Sequence, residues 1–248
     1  MIQIPKNFMR KPIAGSLEKV LSNGTTAPVV ETHPAPLITN HSDLSGYIFV
    51  PSIGMYMAKE RTHQGLNWYQ THEALHAENK RMPAINEFKE FLKYLKENSG
   101  GIPGASVSEI QNILDSILTV RSPWRAEWLD ADFKVYGNKN LYLHYNHRTV
   151  GGQLVPQNKE LLTDYLTQDK TPGIDLESWI ANASSHGLPK PKIKKGELYY
   201  WAPMKDNQSV ARFGVGSVWA YLYCYRDPDY SFPSLGVRAS LPQQASAP

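Results

Sequence analysis

Apolar positions recur at helical spacing in the first half of the chain and alternate in the second. Trp68, His72, Leu75 and Asn79 share one face and predict a helix over 66–79. Pro83 restarts the chain into a second helix with Ile85, Phe88, Leu92 and Leu95 as its apolar stripe. A third helix is predicted over 106–118, with Val107, Ile110, Ile113, Leu114 and Ile117 facing inward, Ser106 as cap and Glu109 three residues on. Two short strands, 46–50 and 54–57, precede these helices. From Trp124 the period becomes that of strands: 125–129, 133–136, 141–145 and 198–202, with a hairpin turn at Gly137–Asn138. Residues 172–175 lead into a short helix ending near Ala181. Helices first and many short strands later predict one α+β domain over 46–242. Pro5, Pro12, Pro28, Pro34 and Pro36 make 1–45 read as an extended arm, with a helical turn only at 16–21. Residues 243–248 read as a flexible tail.

The alternation is sharpest near the C-terminus. Tyr221, Tyr223 and Tyr225 fall on one face of a strand, Leu222 and Cys224 on the other. Three tyrosines on one face either pack against a neighbouring sheet or form a rigid, amphipathic contact surface like an antibody paratope. Val215, Val218, Trp219, Asp227, Asp229, Tyr230 and Phe232 crowd around them and complete a candidate contact set. Residues 209–242 contain no Lys, Glu, Gln or Met. Free replacement of the two adenines in an AAC or AAT codon yields Tyr, Phe, Ser, Asp, Gly, Val and others, but never those four. The omission fits a segment diversified through its adenines, and equally the ordinary poverty of strands in Glu and Lys. Trp219 needs a third-position G and stands outside the adenine pattern.

Composition narrows the classes. Of 248 residues, 41% are hydrophobic and 20% charged, as in a folded globular chain. A formal charge of +3 is too weak a bias to argue for nucleic acid. Lys190, Lys192, Lys194 and Lys195 read as a solvated loop before a strand. A single cysteine, Cys224, excludes an intrachain disulfide and a multi-cysteine metal site. No apolar run reaches membrane-spanning length, and the first residues lack the apolar region of a standard secretory signal. Export by another route or release in a virus particle stays open, so localisation is unassigned.

The sharpest chemical motif is His72-Glu73-Ala74-Leu75-His76, an HExxH pattern on a predicted helix. In metalloproteases the two imidazoles bind zinc and the glutamate polarises its water. The extended pattern fails, since Asn79 and Met82 occupy the next positions; Glu87 or Glu90 is the nearest substitute ligand. A zinc-dependent hydrolase using His72, His76 and Glu73 is therefore the alternative reading, against an ordinary helix with one docked histidine. His144 and His147 suit a metal or, more simply, a polar strand edge. Ser184, Ser185 and His186 lie in a loop, without the Gly-x-Ser-x-Gly elbow of serine hydrolases.

Several segments together resemble a known family. Asn67–Trp68, the helix after them, and 81–88 (RMPAINEF) resemble the two-helix start of C-type lectin-like domains of the formylglycine-generating-enzyme type. Segments 124–128 (WRAEW), 196–201 (GELYYW) and 234–239 (SLGVRA) resemble the later parts. With 210–213 (VARF), they are similar to variable proteins of diversity-generating retroelements from archaea and archaeal viruses. The resemblance implies a C-type lectin-like fold whose variable residues bind a protein or glycan on a target surface. It implies Arg212, Leu222, Cys224, Leu235 and Val237 as framework. It implies no catalysis, and the copper-site cysteine pair of the formylglycine-generating enzymes is missing. No cofactor, metal, nucleic acid or membrane insertion is expected. A virion or surface protein using this face as an oligomer contact is a further reading.

Overall fold

The early helices begin at the capping residues the sequence supplies. In the computed structural model, residues 44–137 and 139–242 are described. The first helix, α1 (Trp68–Ala77), is capped by Asn67, whose side chain accepts from Gln70 N while the Gln70 side chain accepts from Asn67 N. In α2 (Ile85–Glu97), the Glu87 side chain accepts from Ala84 N at 2.8 Å. In α3 (Val107–Leu118), Ser106 and Glu109 exchange both bonds of a capping box. These bonds satisfy backbone donors that a helix start otherwise leaves open.

The stripe of Ile85, Phe88, Leu92 and Leu95 is wholly buried. Val107 departs from expectation: it is 54% exposed, because the buried stripe of α3 begins only at Ile110. Asn79 also departs. It lies beyond α1 with φ +57°, a left-handed residue past the helix end rather than part of its face. A short helix α4 (Leu176–Asn182) follows later, starting at Asp175.

Among the described residues the strands form two sheets. β1 (Tyr47–Val50), β2 (Met55–Ala58) and the last strand, β11 (Ser240–Pro242), make one in the order β1-β2-β11. The larger sheet contains β3 (Arg125–Val135), β4 (Leu141–Val150), β5 (Gln153–Leu161), β6 (Lys170–Ile174), β7 (Leu198–Trp201), β8 (Ser209–Val215) and β9 (Ala220–Arg226). Their order is β5-β4-β3-β8-β9-β7-β6, and the two-residue β10 (Leu235–Gly236) pairs with β3. Neighbours along that order are antiparallel except β7 and β9, which are parallel.

Two expected strands, 125–129 and 133–136, prove to be one. The gap between them is a bulge: β3 pairs with β8 at Trp128↔Arg212 and again at Asp132↔Val210. Three residues of β3 thus stand opposite one of β8. β5 and β6 were not foreseen as strands. β5 is an edge strand carrying Pro156 and much exposed polar surface, which blurs its pattern. Asn138 of the expected hairpin turn, nearly all of the expected arm (1–43, with its turn at 16–21) and the expected tail lie outside the described residues.

Apolar residues from one face of the large sheet, among them Ala211, Phe213, Leu222, Cys224, Leu198 and Tyr200, share a core with Phe88, Leu92 and Ile113 of the helices. Among the described residues, no helix is long and apolar enough to cross a membrane.

Arg238 ties the two sheets together. It is 1% exposed, and its Nε and Nη2 donate to both Glu127 carboxylate oxygens at 3.1 and 2.9 Å. Nη1 donates to Ala58 O at 2.9 Å and also to Lys59 O. Removing one partner strands a buried charge. Arg238→Ala is expected to lower unfolding free energy by about 3–5 kcal/mol in urea denaturation, and Arg238→Met with Glu127→Leu to recover part of it. Equal losses in the single and double variants would contradict this account.

Cys224 is fully buried, and burial pushes its thiol well above the ordinary range. A thiol reagent is expected to label it only after unfolding; rapid labelling of the folded protein would mean that β9 is paired one residue out of register.

Candidate functional site

The face of the large sheet opposite α2 and α3 carries a continuous set of aromatic rings, with α1 packed beside it over Trp128 and Val210. Parallel pairing sets Tyr199 opposite Tyr221 and Trp201 opposite Tyr223, so both strands contribute to one face in register. Trp201 meets Tyr221 at 5.7 Å and Tyr223 at 5.2 Å between ring centroids, and Tyr223 meets Tyr225 at 4.5 Å. Trp219, on the turn before β9, stacks flat on Tyr199 at 4.2 Å. Trp124 stacks on Phe232 at 4.9 Å, and Phe232 lies parallel to Tyr230 at 6.4 Å.

Arg212 is the hub under these rings. It follows from β8's alternation: Ala211 and Phe213 face the core, so Arg212 and Gly214 face the aromatics. Its guanidinium carbon lies 5.1–5.8 Å from the centroids of Trp124, Tyr221, Tyr223 and Tyr230. Its Nε and Nη1 have no hydrogen-bond partner, so the ring faces supply the compensation, about 0.5–2 kcal/mol per contact. Burial pulls its pKa below the ordinary value, with Tyr221 opposing. Arg226 adds a second cation, 3.4 Å over the Tyr230 ring.

This set lines a depression of about 300 Å³ formed by Trp124, Trp201, Arg212, Tyr221, Tyr223 and Tyr230. A second depression of about 480 Å³ is bordered by Val218, Trp219 and Ala220, with Leu176 and Glu177 across from them. Val218, at the rim of the second, is 67% exposed.

The sequence-derived contact set divides accordingly. Tyr223, Tyr225, Trp219 and Tyr230 are half-buried with rings on this face; Val218, Phe232, Asp227 and Asp229 are exposed around it. The two aspartates form a turn in which Asp227 accepts from Asp229 N at 2.9 Å. Val215 must be taken off the set. It is 1% exposed, because its position in β8 puts it on the same side as Phe213, facing the core. Tyr221 lies on the expected face but is only 7% exposed. Its ring covers Gly214, where an added Cβ would come within 2.7 Å of it. Tyr199, Trp201 and Trp124 were missed. The run Leu198-Tyr199-Tyr200-Trp201 is aromatic at every position after the first, so alternation gives no face, and only the pairing with β9 reveals it.

The HExxH helix leads elsewhere. His72 is fully buried, while Glu73 is exposed, about 100° further round the helix. Glu87 is paired with Arg81, and Glu90 with Lys89, so neither is turned to the histidines. Instead His72 meets two residues far along the chain. Asp130, in the bulge of β3, has Oδ1 3.6 Å from His72 Nε2 and 2.5 Å from His147 Nδ1, and its Oδ2 accepts from His147 N at 2.9 Å. Neither ring nitrogen of His72 has a hydrogen-bond partner, a deficit of about 1–3 kcal/mol for a buried polar group. Burial pushes its pKa down to about 3, with Asp130 opposing.

His144 and His147 are not on a strand edge: β4 lies between β3 and β5, and both side chains are buried. His144 bonds Tyr136 Oη at 2.7 Å, and burial lowers its pKa to about 4. His186 bonds Ser185 Oγ at 3.3 Å and Glu160 at 3.0 Å, with the other Glu160 oxygen taken by Tyr145. The Glu160 bond ties the 184–188 turn to β5, and the same turn abuts the start of α2 at Gly187, which allows no side chain: a Cβ would sit 2.5 Å from Asn86 N.

No family model, curated protein or solved structure matches this chain.

Gly214 supplies a direct check on the aromatic packing. Gly214→Ala drives a methyl into the Tyr221 ring and Ala126, and is expected to cost about 1–3 kcal/mol and to change the near-UV circular dichroism of the aromatic set. Unchanged stability and spectrum would show that Tyr221 does not lie across β8.

Proposed function

We propose that this is a non-enzymatic display protein with a C-type lectin-like fold, the variable protein of a diversity-generating retroelement. Its aromatic face binds a protein or glycan on a target surface. The observation that carries the reading is the division of labour within β9. Leu222 and Cys224 are fully buried against the helix side, while Tyr223 and Tyr225 stand on the other face among Trp201, Trp219 and Tyr230. Contact residues on one face can then change while the other face keeps the fold. Tyrosine and tryptophan suit such a surface because they give large contact area with few rotatable bonds.

The fold assignment draws support from the arrangement of elements. Two capped helices come first and pack on a mainly antiparallel sheet, α2 on one side and α1 on the other, where the segment lacking Lys, Glu, Gln and Met supplies much of the surface. Arg212, Leu222, Cys224, Leu235 and Val237, the residues assigned to the framework, are all buried.

The test combines binding and stability on the same variants. Wild-type protein and the variant Trp201→Ala/Tyr223→Ala/Tyr225→Ala are applied to a glycan array and to a displayed protein library. Every ligand retained by the wild type is expected to weaken by at least about tenfold in the variant, since central aromatics dominate interfaces. The rings are half-buried, so stability is expected to fall by about 0.5–2 kcal/mol per ring with the variant still folded. Full binding by the variant, or its unfolding, sinks the reading. Sequencing beside the gene is the second arm: a reverse transcriptase and a near-copy of the 3′ end differing only at adenines are expected.

A further inference from the structure

His72 presents a problem that the binding face does not solve. It is 0% exposed, and both of its ring nitrogens lack partners. Buried polar atoms are nearly always bonded, and an exception in a tightly packed place calls for a cause. The ring is not stranded at random. Among the described residues, His72, Asp130 and His147 bring one donor atom each to within 4.8 Å of one another.

One helix and two irregular pieces of backbone aim these groups inward. α1 supplies His72. The bulge of β3 supplies Asp130, whose N–H leaves the strand ladder and donates to Pro83 O at 2.8 Å. Asn146, at φ +56°, breaks the pairing of β4 with β5 just before His147. Bulges and left-handed residues are local departures that re-aim side chains. Here two of them converge on the same atoms.

The spacing of His72 and Asp130 suits an ion better than a hydrogen bond, while His147 Nδ1, at 2.5 Å from Asp130 Oδ1, is hydrogen-bonded to it and must open by about 0.9 Å to share an ion. His72 Nε2 and Asp130 Oδ1 are 3.6 Å apart, beyond ordinary hydrogen-bond range. Two ligands at about 2.0–2.1 Å from a tetrahedral ion stand roughly 3.4 Å apart. The donor set of two imidazoles and one carboxylate suits zinc and its transition-metal neighbours. Magnesium and calcium prefer oxygen alone. His76, one turn beyond His72, borders the cluster with a buried, unpartnered Nε2, its Nδ1 held by Thr149 Oγ1 at 2.8 Å.

We propose that His72, Asp130 and His147 form a closed structural site for a divalent transition metal of the zinc class, which clamps α1 to the bulge of β3 and to β4. This revises the expectation of a metal-free chain and is independent of the binding-face reading. The site is structural because the three residues are 0%, 0% and 3% exposed, and the Trp68 ring closes over it, 4.3 Å from the His72 ring and 5.0 Å from that of His147. A substrate has no approach, and Glu73 faces away. Binding through His147 Nδ1 displaces the proton it shares with Asp130, and the neutral ring takes up a proton on Nε2 instead, a change of tautomer with no net proton released.

The experiment uses the full, untagged chain, stripped with a chelator and titrated with Zn²⁺, Co²⁺ and Mg²⁺. One Zn²⁺ per chain by elemental analysis is expected, with a rise in Tm on loading and no effect of Mg²⁺. The Co²⁺-loaded protein is expected to show the visible absorption of a tetrahedral nitrogen–oxygen site. His72→Gln and Asp130→Asn are each expected to weaken Zn²⁺ binding by more than about 100-fold, more than loss of an outer-shell group costs. Folded wild type that takes up no stoichiometric ion overturns the proposal. So does equal uptake by either variant, which would place the ion elsewhere. Should both variants fail to fold, wild-type stoichiometry and the Co²⁺ spectrum decide alone.

Discussion

The buried pair of Arg238 and Glu127 is the constraint on which the other parts depend. It lies where the C-terminal segment crosses back over β3, two residues after Gly236 pairs with Glu127 itself. From there the guanidinium reaches the end of β2 through Ala58 O and α3 through the Ser116 hydroxyl at 3.4 Å. A charge taken this far out of water is tolerated only when nearly every donor is used, and here both carboxylate oxygens and two backbone carbonyls use them. The pair therefore fixes the position of β3 relative to the small sheet. β8 is paired to β3 and β9 to β8, so the aromatic face inherits its placement from this contact.

Arg212 does the opposite job with the same side chain. It is held by rings rather than by a carboxylate, and its neighbours belong to the face proposed to bind a ligand. Cation–ring attraction has weak directional demands. A tyrosine exchanged for another residue removes one wall of the cage and leaves others standing. The framework under the face is thus less sensitive to the identity of any single contact residue than an ion pair would be.

The sequence made the local parts of this architecture legible. Capping residues and apolar stripes located α2 and α3, and alternation located the two faces of β9. Non-local parts were hidden. Val215 was misplaced because only the pairing of β8 with its neighbours assigns its face. Trp201 and Tyr199 join the site through parallel pairing with a strand that the chain reaches twenty-odd residues later. The HExxH motif invited a search for a third ligand nearby, at Glu87 or Glu90. The partners of His72 instead come from a bulge and from a strand position beside a left-handed residue, neither of which announces itself in periodicity. The gap between two expected strands at 130–132 was the visible trace of that bulge.

The small sheet has a mechanical consequence. β1 and β11 both pair antiparallel with β2, so they run parallel to each other on its two sides. Tension applied between Tyr47 and Pro242 pulls the start of one outer strand against the end of the other, along the strand axis. The hydrogen bonds flanking β2 are then loaded in shear, all together, instead of being unzipped one after another. Resistance to such a load is governed by the rate of unfolding rather than by equilibrium stability. A tether at either end of this domain would transmit force through β2 before it reached the aromatic face.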